Sequence, residues 1–319
     1  MVDIRMMQQS DLDDVRDVDS EAFFAWAKGT YGDPVTRFRR TRDNVRACLW
    51  RDPQGCFVAT DDGRVVGFIL SRTWGGVGWF GTFGVLPDQQ RRGIGKRLIA
   101  ASLDYLRQEP QRVIGLETMA ESASNLQLYL QLGFQLAWPT LVLRRQLAGA
   151  EMPSGEVRRW SAADSSTRAR WLSELRAATG RIWPGLDYAK EIEILQAFDH
   201  GDTVVLCNKG AAVGLCALRL ASGVEGGDKG EAKVEALALD PQHTNAQTLS
   251  TLLRATEALA SQAGKTKLRL PVYGQHSWAV QQLLEQGYRV QRLAVRMLWQ
   301  DTDPGLSLER TVDCSRWAG

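Results

Sequence analysis

The residues with the clearest chemical potential are Gln90-Arg91-Arg92-Gly93-Ile94-Gly95-Lys96-Arg97. Two residues without Cβ allow an anion to come close to the backbone. That matters only if the glycines lie where backbone N–H groups are unpaired, at the start of a helix, where the macrodipole also favours negative charge. The flanks fit. An apolar run ends at Val85, Pro87 stops it, and Leu98, Ile99, Leu103 and Leu106 recur at helical spacing. Strand, glycine turn and basic helix start thus form an expected cradle for a pyrophosphate, with Arg91, Arg92, Lys96 and Arg97 adding charge for further phosphates. The spacing is that of neither a Rossmann turn nor a Walker loop.

The run Val-x-Pro-x-x-Gln-Arg-Arg-Gly-Ile-Gly-x-x-Leu-Ile resembles the acetyl-CoA-binding signature of the GNAT superfamily of N-acetyltransferases. Downstream, Leu128-Tyr129-Leu130-Gln131-Leu132-Gly133-Phe134 is similar to the Leu-Tyr-x-x-x-Gly-Phe segment of that family. The resemblance covers residues 1 to about 147. It implies that acetyl-CoA is the acyl donor, with its pantetheine arm along Phe83, Gly84 and Val85. Gln90, Arg91, Arg92, Gly93, Ile94, Gly95 and Lys96 would hold its phosphates. It also implies that a neutral amine attacks the thioester directly, that a backbone N–H near Val85 stabilises the oxyanion, and that Tyr129 protonates the departing thiolate.

Two departures from the family pattern stand out. Ser122 lies seven residues before Tyr129, where the family often has Asn; Asn125 is the candidate pantetheine contact here. The strand before the turn, Trp79-Phe80-Gly81-Thr82-Phe83-Gly84, carries no carboxylate, so Glu117 on the neighbouring strand is the candidate base, with Glu121 just beyond it. The expected activity is transfer of an acetyl group to a primary amine of a small molecule or peptide. The alternatives are a non-catalytic acyl-CoA-binding module and an enzyme like the tandem mycothiol synthases. The active copy of the latter is the C-terminal one, whereas here the motif lies in the first.

The elements that must position these residues occur twice. Pro87 and Pro241, Leu98 and Leu252, and Gly133 and Gly287 are each 154 residues apart, and the glycines of two hairpins, Gly67 and Gly214, are 147 apart. A constant offset over several landmarks marks a duplication. The seven extra residues are assigned to the Gly-rich stretch Ser222 to Gly230. The expectation is an α/β chain of two tandem GNAT-like domains, each a mostly antiparallel twisted sheet flanked by helices. Their bounds are 1–147 and 156–300, with a linker at 148–155 and a tail at 301–319. The second copy has Gln247, Leu249 and Leu283 where the first has Gly93, Gly95 and Tyr129, and reads as degenerate. Phe23, Phe24, Trp26 and Tyr31 are expected to serve core or helix packing or, by the resemblance, to line the acceptor slot.

A chain of 319 residues with 44% hydrophobic and 24% charged residues suits two soluble domains. A net charge of +2 gives no general reason to expect a nucleic-acid partner. Five scattered cysteines suit buried thiols in a reducing compartment, and the three histidines, His200, His243 and His276, lack metal-ligand spacing. No metal, no membrane association, a cytoplasmic location and a monomer or homodimer are the remaining expectations.

Overall fold

The computed structural model describes residues 1–108, 113–149, 151–221, 228–299 and 310–315. The first half runs through β1 (Asp3–Met6), α1 (Leu12–Tyr31), α2 (Arg42–Arg51), β2 (Cys56–Asp61), β3 (Arg64–Trp74) and β4 (Val77–Val85). It continues with α3 (Ile94–Leu106), β5 (Val113–Met119), α4 (Ala123–Gln131), β6 (Phe134–Leu136) and β7 (Thr140–Gln146). The second half repeats this order as β8 (Val157–Arg159), α5 (Ser165–Gly180), α6 (Ala189–Ala197), β9 (Gly201–Asn208), β10 (Ala211–Arg219) and β11 (Glu231–Leu239). Then come α7 (Ala246–Gln262), β12 (Lys267–Tyr273), α8 (Ser277–Glu285) and β13 (Arg289–Trp299). The segment expected to be a tail supplies one more strand, β14 (Val312–Ser315). Most of the stretch assigned to the seven extra residues, 222–227, lies outside the described residues.

Local chemistry explains why the halves match. The hairpins β2–β3 and β9–β10 turn on Asp62-Gly63 and Lys209-Gly210, all four at positive φ, which is the turn that suits the right-handed twist of paired strands. Within each half every strand pair is antiparallel except the one that brackets the glycine-turn helix or its counterpart. Those exceptions are β4 with β5, paired at Val77–Trp79 and Val113–Gly115, and β11 with β12, paired at Glu231–Lys233 and Lys267–Arg269. Both β4 and β11 carry a one-residue bulge, between Phe80 and Phe83 and between Val234 and Ala236. In the second half that places Glu235 in the bulge, where the Arg219 guanidinium donates to it at 2.7 Å.

One sheet runs through both halves in the order β1-β2-β3-β4-β5-β13-β7-β12-β11-β10-β9-β8. The order is a palindrome of equivalent strands, and its centre is an exchange. The last strand of the second half, β13, pairs with β5 of the first; the last strand of the first half, β7, pairs with β12 of the second. These two strands also pair antiparallel with one another, Thr140 opposite Ala294. A third buried cluster joins the halves, with Trp74, Val77 and Trp79 packed among Trp171, Trp183 and Tyr188. At its edge Gly76 donates its N–H to the Gly185 carbonyl at 2.7 Å. A Cβ at Gly75 or Gly76 would run into the Gly185 or Pro184 carbonyl, so this close backbone approach requires glycine. Among the described residues no helix is long and apolar enough to cross a membrane.

Candidate active site

The site begins where β4 and β5 part. β3 pairs with β4 along its whole length, as far as Gly67 opposite Val85. On the other side β5 leaves β4 after Trp79, and its outer residues, Gly115 to Met119, pair with β13 instead. Among the described residues no strand covers the β4 edge at Thr82–Val85 on this side. An open strand edge in the middle of a sheet presents N–H and C=O groups to whatever extended group enters the gap. Phe83, Gly84 and Val85 all lie on that edge. The Oγ1 of Thr82 is buried without a partner.

The glycine turn stands at the mouth of this gap. Gly93 has φ +76° and is the N-cap of α3, and no side chain caps the helix. Its first N–H groups are therefore left for an external acceptor. Arg91 also lies at positive φ, 64°, which turns successive N–H groups to one side. A Cβ on Gly95 would sit 3.4 Å from the Phe83 ring. That is ordinary contact, so packing within the chain does not demand glycine there. Gln90 holds the turn against β4, its Nε2 donating to the Val85 carbonyl at 3.2 Å.

The basic residues divide into two groups. Arg92 is engaged by Asp61 at 2.8 Å and by Gln89, and Arg97 donates to the Val2 carbonyl at 3.0 Å. Arg91 and Lys96 are exposed and make no ion pair among the described residues.

Tyr129 lies on α4 and is 5% exposed, with ring centroids 6.0 Å from Phe80 of β4 and 6.1 Å from Phe134. The structure thus brings it against the strand that lines the gap. Burial pushes its hydroxyl pKa well above the ordinary value, so the group stays protonated and has a proton to donate. Asn125 is half-buried one helical turn earlier on the same face. Ser122, just before α4, is buried with its Oγ unpartnered.

Glu117 is on β5 just past the point of divergence, and its side chain is 3% exposed. Its Oε1 accepts from Arg296 Nε at 3.0 Å, from Arg296 Nη2 at 2.7 Å and from Thr140 Oγ1 at 2.5 Å. Arg296 belongs to the exchanged strand β13, 179 positions away, and no sequence signal ties it to this carboxylate. Thr82 and Ser122 are similarly silent in sequence, because a hydroxyl in a strand or before a helix is ordinary.

The aromatic residues of α1 correct one expectation. Phe23, Phe24 and Trp26 are half-buried and Tyr31 is 61% exposed, and none joins a buried cluster. The helix backs on the gap through Ala22, whose Cβ would lie 3.3 Å from a Cβ built on Gly84. Their half-exposed rings therefore form a surface on a helix that flanks the gap.

Residues 12–134 match the model of the acetyltransferase (GNAT) family. A mycothiol acetyltransferase of Arthrobacter sp. (strain FB24) is 31% identical over 126 residues, covering 36% of this chain and 39% of that protein. The chain thus matches about two fifths of that relative's length. Among solved structures, a putative acetyltransferase from Pyrococcus horikoshii aligns over 99% of this chain and 95% of its own, with a TM-score of 0.67 and 16% identity. A tandem GNAT protein from the clavulanic acid biosynthesis pathway aligns over 93% and 98%, with a TM-score of 0.59 and 14% identity. At these identities the structural likeness is one of fold, and it extends over both halves.

Proposed function

We propose, from the match of residues 12–134 to the acetyltransferase (GNAT) family model, that this chain transfers an acetyl group from acetyl-CoA to a primary amine of a small molecule or peptide. One observation carries the reading: the open β4 edge at Thr82–Val85 ends beside a helix whose N-terminus has no cap. A pantetheine arm offers the amide groups that such an edge lacks, and a pyrophosphate offers the charge that such a helix end lacks.

In this reading the arm extends β4 at Phe83, Gly84 and Val85, with Asn125 beside it. The diphosphate rests on the N–H groups of Arg91 to Lys96, with Arg91 and Lys96 as the available cations and Gln90 holding the turn in place. The acceptor enters past the α1 aromatics. Its neutral nitrogen attacks the thioester carbon, and the oxyanion is held by an N–H near Val85. The C–S bond then breaks, and the thiolate takes the Tyr129 proton. The attacking amine loses a proton to Glu117 through Oε2, since Oε1 already accepts three hydrogen bonds, or to water.

The test is release of free CoA thiol from acetyl-CoA across a panel of amines, with acetyl-CoA binding followed by calorimetry. Amine-dependent thiol release with one acetyl-CoA bound per chain is the expected result. Binding with no amine ever turned over would make this a binding module, and no binding at all would remove the proposal.

A further inference from the structure

The second half has a gap of the same construction, and it is filled. β11 pairs with β12 only at Glu231–Lys233, as β4 pairs with β5 only at Val77–Trp79. Beyond that point β14 lies antiparallel on β11, with Val312 opposite Leu239, Asp313 opposite Ala238, Cys314 opposite Leu237 and Ser315 opposite Ala236. Residues 236–239 are the counterparts of 82–85 at the repeat offset of 154. We propose that this second gap is a groove for an extended peptide, occupied in cis by residues 312–315 in the place where the first half takes its acyl donor.

The side chains of β14 fit the groove on both faces, as the period of two in a strand requires. Val312 and Cys314 enter the second half's core, beside Val234, Leu237 and Leu239. Asp313 points the other way, and the Tyr188 hydroxyl donates to its Oδ1 at 2.6 Å. All four residues are at most 1% exposed.

An independent observation says what the groove does not take. The helix after β11, α7, is closed by a reciprocal cap. Asn245 Oδ1 accepts from the Thr248 N–H at 2.9 Å, and Thr248 Oγ1 accepts from the Asn245 N–H at 3.0 Å. Leu249, in place of Gly95, is fully buried. With its helix end satisfied and its glycines gone, this gap keeps a strand edge but no phosphate cradle, which selects a peptide over a nucleotide-bearing ligand.

The comparison with acyl-CoA rests on the function proposed for the first half; the occupant of the second does not. Hydrogen exchange of the intact chain separates the two. Without ligand, the amides of 236–239 should exchange at least about a hundredfold more slowly than those of 82–85. Acetyl-CoA should protect 82–85 and leave 236–239 unchanged. Equal exchange at the two edges in the free chain would overturn the groove assignment. No response of 82–85 to acetyl-CoA, with 236–239 protected, would remove the proposed function and support the groove.

A chain ending at residue 309 provides the second reading. Its melting temperature should fall and be restored by a peptide of residues 310–319 added in trans. Calorimetry should still find one acetyl-CoA site. Binding of two acetyl-CoA molecules by this shortened chain, or an unchanged melting temperature, would overturn the proposal.

Discussion

At the start of α3, Gly93 turns through positive φ and leaves the helix end without a side-chain cap, whereas at the start of α7 Asn245 and Thr248 cap each other. Among the described residues no strand pairs with 82–85 at the edge of β4 on the side of the gap, whereas residues 236–239 of β11 are paired with β14. The two halves share their elements, hairpin turns and bulges, so these differences are not differences of fold. Backbone N–H and C=O groups left inside a protein must be paired with something. One copy supplies the partners from its own chain, and in the function proposed above the other leaves them for acetyl-CoA. Where the second copy has Gln247 and Leu249 in place of the glycines, a reciprocal cap and a strand make the corresponding hydrogen bonds.

The largest expected effect comes from placing charge at the two helix starts. Gly95→Glu should weaken acetyl-CoA binding by at least about a hundredfold, because it adds a carboxylate where phosphate charge is to be held. Gln247→Glu, at the position matching Gly93, should leave affinity unchanged. Calorimetry on both variants, with circular dichroism to confirm folding, checks the pair. Equal losses would mean that both copies bind donor.

Next is Tyr129→Phe, which keeps the ring against Phe80 and Phe134 and removes the hydroxyl. Loss of a general acid costs about 10²–10⁴-fold when chemistry limits the rate. Turnover at saturating acetyl-CoA should fall by at least about tenfold, with affinity little changed. Unchanged turnover with a slow acceptor would leave Tyr129 as a packing residue.

A smaller effect is expected at Asp313, the polar anchor of β14. Burial pushes its pKa up to about 6, above the unfolded value of about 3.9. A raised folded pKa means that its contribution to stability is fully present below about pH 4 and is lost as pH rises through about 6. Asp313→Asn, which stays neutral, should remove that decline and stabilise the chain at pH 7 by up to about 3 kcal/mol. Urea unfolding from pH 4 to pH 7 measures it; an unaltered slope would place the titration elsewhere.

The smallest is Asn245→Ala, which should cost about 1 kcal/mol of stability through the lost cap and leave acetyl-CoA binding intact. The first half has no such cap to lose, and inorganic phosphate should raise its stability instead. Thermal melts of the variant, and of the intact chain with and without phosphate, provide the check.

The sequence by itself determined what is contiguous or repeated. The glycine turn, the two hairpins and the Tyr129-to-Phe134 segment depend on neighbours within a few residues, where glycine conformation, proline and apolar spacing act directly. The duplication was visible because landmark residues keep a fixed offset. The tertiary structure decided which strand lies beside which. β7 and β13 are counterparts in a repeat, and main-chain hydrogen bonds do not depend on side-chain identity. Nothing in either sequence therefore says that β13 pairs with β5 and β7 with β12. From that exchange follows the placing of Arg296 on Glu117. The same holds for β14: the alternation over Val312, Asp313, Cys314 and Ser315 is too short a run to announce a strand. They become one because the gap beside β11 offers an unpaired edge and two faces to fill.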